Sequence, residues 1–234
     1  MDGRAGAAVY IAMPHTPDAA PPRPLLRGYA HAVAAVAAVA GVPVLLQAAR
    51  GARPMQLALG VYALSVVLLF SCSALYHTLP LSGRRRALLR RLDHACIFLM
   101  IGGGYTPVTY ATRTGWGRVG LLTLVWVLTL SGVAAVSAPR PVARRVRIGL
   151  YGALAGLTVL VSARAIAALD PSAQRLLLGG GGVFLAGTLA YSVRRPALWP
   201  RVFGYHELFH VAVVIGSVAY FLVVVRFVAP LGPF

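Results

Sequence analysis

The sequence predicts an all-α, polytopic membrane protein built as a bundle of seven transmembrane helices. Hydrophobic residues make up 59% of its 234 residues and charged residues only 12%, a balance far too apolar for a soluble domain of this length. The apolar residues fall into seven runs, each close to the roughly 20 residues that a helix needs to cross a bilayer. Short polar connections separate the runs, so the chain is expected to cross the membrane back and forth.

The seven predicted spans are marked by hydropathy and by prolines near several of their ends. In chain order they cover about residues 29–48, 55–79, 93–111, 119–137, 148–169, 176–193 and 204–229. Before them, residues 1–25 contain five prolines and no long apolar core. That composition predicts a disordered cytoplasmic segment, followed by a membrane domain over residues 26–234. Glycine clusters at 102–104 and 179–182 are expected to allow close helix packing or a kink.

The positive charge of the chain indicates its orientation in the membrane. All 22 cationic side chains are arginine, and the formal net charge is +17. Fifteen arginines lie in the N-terminal segment or after the second, fourth and sixth spans, which predicts a cytoplasmic N-terminus and an outside C-terminus in the cell membrane. Because orientation accounts for the charge, we expect no nucleic-acid binding. The inner arginines are Arg4, Arg23, Arg27, Arg84, Arg85, Arg86, Arg90, Arg91, Arg140, Arg144, Arg145, Arg147, Arg194, Arg195 and Arg201.

Acidic and thiol side chains are scarce, so each can be interpreted individually. Of the five acids, Asp93 and Glu207 lie at the ends of predicted spans. An ionisable group at membrane depth is costly, which makes each a functional candidate. Cys72 and Cys96 lie within apolar runs and have no CxxC spacing. They are expected to pack as small apolar residues, without forming a disulfide or a metal pair.

The motif HELFH, at residues 206–210, opens the last span. Residues four apart lie on one face of a helix, so His206 and His210 can present two imidazoles to a single metal ion. No His, Asp, Glu or Cys follows His210. Any further protein ligand must therefore come from upstream.

His77 is the expected third ligand, because it lies within about one turn of the inner end of the second span. Asp93 opens the third span just across a short basic connection, so we expect it at the same depth. Ser73 lies one turn before His77 on the same helix face. Three imidazoles that leave a fourth position for water form the donor set of a catalytic zinc site, and Asp93 suits a supporting acceptor or a ligand of the water.

Three other ionisable residues are expected near this depth, but none of them is predicted to be one of the three main ligands or a catalytic group. His31, near the start of the first span, is a candidate for a spare ligand. Adjacent helical residues point about 100° apart, so His94 is expected to face away from a site that Asp93 faces. Glu207 is displaced from the ligand face in the same way. We expect it to be solvated, to face lipid headgroups or to pair with a loop arginine rather than to act in catalysis.

Together, three motifs resemble the haemolysin III branch of the progestin and adiponectin receptor superfamily, whose distant relatives include the alkaline ceramidases. SALYH supplies Ser73 and His77, RLDHACIFLMIGGGYTP supplies Asp93, and HELFH supplies His206 and His210. In that family the matching histidines bind zinc near the cytoplasmic face. The resemblance, which covers all seven spans, implies that the three histidines bind Zn²⁺, that Asp93 positions water and that Ser73 supports it by hydrogen bonding.

Three functions are compatible with these residues. The leading hypothesis is a zinc-dependent hydrolase of lipid amide or ester bonds in the inner leaflet, with a membrane lipid as substrate and Asp93 and Ser73 in catalysis. A second is an intramembrane metalloprotease that uses HExxH with Glu207 as general base, but no third ligand follows the motif. A third is a non-enzymatic sensor, or a pore-forming cytolysin, with structural zinc. The sequence leaves the substrate and the oligomeric state open.

Overall fold

The computed structural model describes residues 26–140, 142–167, 170–199 and 202–231. Over these residues the chain forms seven α-helices and no strand, with a single bridge between Trp199 and Phe203. The predicted N-terminal segment, residues 1–25, lies outside the described residues. The helices are α1 Tyr29–Ala48, α2 Arg53–Thr78, α3 Gly83–Thr112, α4 Gly115–Ser137, α5 Arg144–Ala167, α6 Pro171–Val193 and α7 Tyr205–Val223, and α7 continues into a π-helical turn, Val224–Val228, and a 3-10 turn, Ala229–Leu231.

The helices have the length and composition of a polytopic membrane protein, which confirms the predicted fold class. Five are long and apolar enough to cross a bilayer: α1, α2, α4, α6 and α7 together with its terminal turns. The 30 residues of α3 and the 24 residues of α5 extend about 45 Å and about 36 Å, more than the thickness of the hydrocarbon core. Large apolar side chains such as Val33, Leu57 and Leu178 are exposed on the outer faces of the bundle.

Five helices begin earlier than predicted, and the difference is largest for α3. The third span was expected to start at Asp93, but α3 begins at Gly83. α2, α4, α5 and α6 begin at residues 53, 115, 144 and 171 instead of 55, 119, 148 and 176. The stretches expected to be basic loops are therefore largely the first turns of helices. Hydropathy marks where a chain enters the hydrocarbon, whereas arginine is a good helix former and lets the helix continue into the interface.

The helices pack in a closed ring in chain order, each helix against the next and α7 against α1. α3 contacts α2, α4, α5 and the C-terminal turns, while α1 packs on α2 and also reaches α7. α6 packs along α7, and α5 contacts both α4 and α6. This arrangement brings the end of α2 and the starts of α1, α3 and α7 to one end of the bundle.

Glycines allow α6 to pack closely against α7. A Cβ atom at Gly180 would lie 2.6 Å from the Cβ of Ala219, and one at Gly187 would overlap the Cβ of Ala212. Gly180 and Gly187 are seven residues apart, so they lie on one face of α6. Small residues at helix interfaces let backbones approach closely inside a membrane. The predicted packing role of the 179–182 cluster is therefore confirmed for Gly180.

The glycine cluster at 102–104 likewise allows α3 to pack closely against its neighbours. A Cβ atom at Gly102 would overlap the side chain of Thr129 on α4, and one at Gly103 would overlap Ser65 on α2. α3 is thus in close contact with two neighbours at the same level of the bundle. This confirms the prediction of close packing at 102–104.

The α6–α7 contact can be tested with two neighbouring glycines. Gly180→Ala is expected to lower the thermal unfolding midpoint of the detergent-purified protein, because overpacking a tight contact costs about 1–3 kcal/mol. Gly181 faces open space and is the matched control. Gly181→Ala should leave the midpoint unchanged or raise it slightly, because alanine is the better helix former. Equal midpoints for the two variants would contradict close packing at Gly180.

Candidate metal centre

Three histidines from two helices meet at one end of the bundle. His77 lies near the end of α2, and His206 and His210 lie in the first two turns of α7. Their ring centroids are 4.9 Å apart for His77 and His206, 4.8 Å for His77 and His210, and 4.8 Å for His206 and His210. This is a nearly equilateral triangle. One ring nitrogen from each lies within 4.8 Å of the other two, so the three can converge on one ion.

The start of α7 is fixed by its own capping interactions. Gly204 precedes the helix, and its backbone N–H donates to Oε2 of Glu207 at 2.9 Å. This bond satisfies one of the N–H groups that a helix start leaves without a partner. Because the helix begins at Tyr205, His206 and His210 fall on one face in successive turns.

Asp93 and Ser73 lie beside His77, at the expected depth. Oδ2 of Asp93 is 4.0 Å from Nε2 of His77, too far for a direct hydrogen bond. Ser73 is buried beside the Asp93 carboxyl group. The structure therefore brings together all five residues that the sequence singled out. Their roles as ligands and catalytic groups remain predictions.

Glu207 is a structural residue in this geometry. Nε of Arg27 donates to its Oε1 at 2.7 Å, while the N–H of Gly204 donates to its Oε2. The predicted pairing with an arginine is confirmed. The alternative expectation of a solvated or headgroup-facing side chain is wrong, because Glu207 is only 3% exposed. A buried carboxylate needs hydrogen-bond partners. Arg27 and Gly204, which both precede α7 in sequence, supply them.

The other two histidines differ in their surroundings. His94 is half-buried and lies outside the three-histidine group among the described residues, as expected. His31 is buried and lies directly against the group. Its ring stacks on that of His210, with centroids 4.0 Å apart and planes 9° apart.

Two tyrosines border the ligand rings, and neither was identified from the sequence. Tyr76 packs edge-on against His77 at a centroid distance of 4.6 Å, and Tyr191 packs against His206 at 5.3 Å. The guanidinium group of Arg144 lies 4.2 Å from the centre of the Tyr191 ring, and it also donates to the backbone carbonyl oxygens of Tyr191 and Ser192. Tyr191 belongs to α6, so no local pattern could connect it with His206.

The three histidines form a group that could hold a metal ion. Three imidazoles are a ligand set that zinc accepts in proteins, so the residues present fit zinc. Cys72 and Cys96 are free thiols that pack among apolar side chains, as predicted. Asp93, beside His77, lies where a carboxylate can support a ligand or its water.

Comparison with known proteins places the chain in one family. The family described as haemolysin-III related matches residues 20–221. The chain is 28% identical over 204 residues to Hemolysin-3 of Bacillus cereus, covering 86% of this chain and 89% of that protein. It is also 28% identical over 166 residues to the Hemolysin-3 homolog of Bacillus subtilis (strain 168), covering 70% and 74%. The chain is therefore a multi-pass membrane protein that belongs to the haemolysin-III related family.

Proposed function

We propose that the protein is a zinc-dependent hydrolase that cleaves an amide or ester bond of a membrane lipid at the cytoplasmic leaflet of the cell membrane. The observation that carries this proposal is the triangle of His77, His206 and His210, with the Asp93 carboxylate beside it. The arginines at this end of the bundle support its cytoplasmic placement through the positive-inside rule.

The residues around the triangle have separate tasks in this proposal. A zinc ion bound by three neutral imidazoles supplies a Lewis acid and lowers the pKa of water to about 7. Asp93 orients the attacking water and accepts its proton. Ser73, buried beside Asp93, supports that carboxylate by hydrogen bonding in this proposal. Glu207 has no catalytic task in this proposal, because Arg27 and Gly204 occupy its two carboxylate oxygens.

A lipid substrate can approach from within the bilayer. Leu75, two residues before His77, is exposed on the face of α2 that points away from the histidines, because two helical residues turn about 200°. Leu79, just after the helix, is also exposed. The outside of α2 is therefore apolar near the level of the site, which suits contact with membrane lipid.

Loss of one ligand tests the metal centre and the activity together. His77→Ala is expected to lower bound zinc well below one ion per chain and to abolish hydrolysis of a panel of lipid amides and esters by the detergent-purified protein. His94→Ala changes a histidine at similar depth outside the triangle, and it should retain both. Unchanged zinc content and hydrolysis in His77→Ala would contradict the proposal.

A second pair of variants separates a lipid hydrolase from a metalloprotease. If Glu207 only holds Arg27 and caps α7, Glu207→Gln and Arg27→Gln should have similar effects: lower stability, by about 1.5–3 kcal/mol for a lost charged hydrogen bond, with hydrolysis largely retained. The double variant should cost little more than either single one. Complete loss of activity in Glu207→Gln, with normal activity in Arg27→Gln, would instead assign Glu207 as a general base.

The names of the two relatives, Hemolysin-3 and Hemolysin-3 homolog, favour a second candidate, a pore-forming cytolysin. Dye-loaded liposomes containing the purified protein distinguish the two functions. We expect no dye leakage, together with lipid hydrolysis that a chelator abolishes and added zinc restores. Leakage that persists after zinc removal would support the pore and contradict the hydrolase.

A further inference from the structure

His31 is a buried polar side chain next to the metal centre, and the proposed function gives it no role. It is 3% exposed, and its ring lies between two others. One face stacks on His210 at 4.0 Å, and Phe70 packs against it at a centroid distance of 5.1 Å with planes 69° apart. Neither ring nitrogen makes a well-formed hydrogen bond with the described residues.

The stacked geometry argues against His31 as a fourth ligand. An imidazole binds a metal through a nitrogen lone pair that lies in the plane of the ring. The planes of His31 and His210 are 9° from parallel and stacked, so an ion in the plane of His210 lies away from that of His31. The expectation that His31 is a spare ligand is therefore not supported by its orientation.

The ring of His210 is contacted on one face by His31. Its Nδ1 is buried and makes no hydrogen bond to the described residues. The ring of His31 stacks on it at a centroid distance of 4.0 Å. The orientation of a metal-binding histidine is normally fixed by neighbouring groups, and for His210 the stacked ring of His31 is such a neighbour.

We propose that His31 is a positioning residue that holds the ring of His210 in the plane required for metal binding. A histidine ring turns about a broad terminal torsion, and only a narrow range of that torsion directs its nitrogen at an ion shared with His77 and His206. A flat ring stacked on one face restricts that rotation. This positioning role rests on the metal centre of the proposed function. It gives α1 a part in that centre, although α1 carries no ligand.

The start of α1 is held against both helices that carry the ligands. Gly28 has φ +90°, and a Cβ atom there would lie 2.8 Å from the Cβ of His77 on α2. Arg27, the residue before it, pairs with Glu207 on α7. These contacts fix the position of His31, one turn further along α1, relative to His77 and His210.

Two substitutions of similar size separate stacking from other roles. His31→Phe keeps a flat ring, and His31→Leu keeps apolar volume without one. Both remove the ring nitrogens, whose burial without good hydrogen bonds does not favour folding. We expect the metal-free unfolding midpoints of both variants to equal or exceed that of the unmodified protein. A difference in metal affinity between them therefore reports on the planar ring.

The experiment measures zinc affinity by competition with a chromophoric chelator and the visible spectrum of the Co²⁺-substituted protein. His31→Leu is expected to weaken zinc binding by about 10- to 100-fold, the effect typical of removing an orienting partner, and to alter the Co²⁺ spectrum. His31→Phe should match the unmodified protein in both measurements. His94→Ala, at a histidine outside the triangle, should also match it.

The remaining outcomes would contradict either the positioning role of His31 or the metal centre itself. Equal affinity in the Leu and Phe variants, at the level of the unmodified protein, would show that His31 does not position His210. Equal weakening in both would assign the effect to the ring nitrogens and overturn the stacking role. Failure of the unmodified protein itself to bind zinc would overturn the proposed metal centre and, with it, the need for a positioning residue.

Discussion

The structure depends most on the convergence of the end of α2 and the start of α7, where one ring nitrogen from each of three imidazoles lies within 4.8 Å of the others. Sharing one ion requires one nitrogen of each histidine to reach the same point, although His206 and His210 lie about 6 Å apart along the axis of α7. Close helix packing restricts the position of α7, which is held along α6 at Gly180 and Gly187. The capping contact between Gly204 and Glu207 marks where α7 begins.

The two acids of this region differ in what surrounds them. Glu207 lies within the HExxH motif, yet an arginine and a helix N-terminus occupy its oxygens. Asp93 is also buried and lies 4.0 Å from His77. The motif alone suggests a protease, whereas these contacts favour Asp93 as the acid of the proposed hydrolase.

The sequence was sufficient to predict the seven helices and the meeting of His77 with His206 and His210. Hydropathy marks membrane spans because the bilayer imposes their length. Two histidines four residues apart in a helix lie on the same face, so the spacing alone predicts that they point the same way. The sequence could not predict the Arg27–Glu207 pair, which joins residues 180 positions apart, or the stacking of His31 on His210. Such contacts depend on how helices rotate against one another, which leaves no periodic signal in the sequence. The early start of α3 was missed because hydropathy marks the hydrocarbon boundary and not the end of the helix.

The most direct test of the account is X-ray absorption at the zinc edge of the purified, zinc-loaded protein. The account predicts one zinc ion per chain with three imidazole nitrogens at about 2.0–2.1 Å and one oxygen ligand, and the loss of one imidazole in His77→Ala. A spectrum with sulfur ligands at about 2.3 Å, or one that His77→Ala leaves unchanged, would contradict the three-histidine centre.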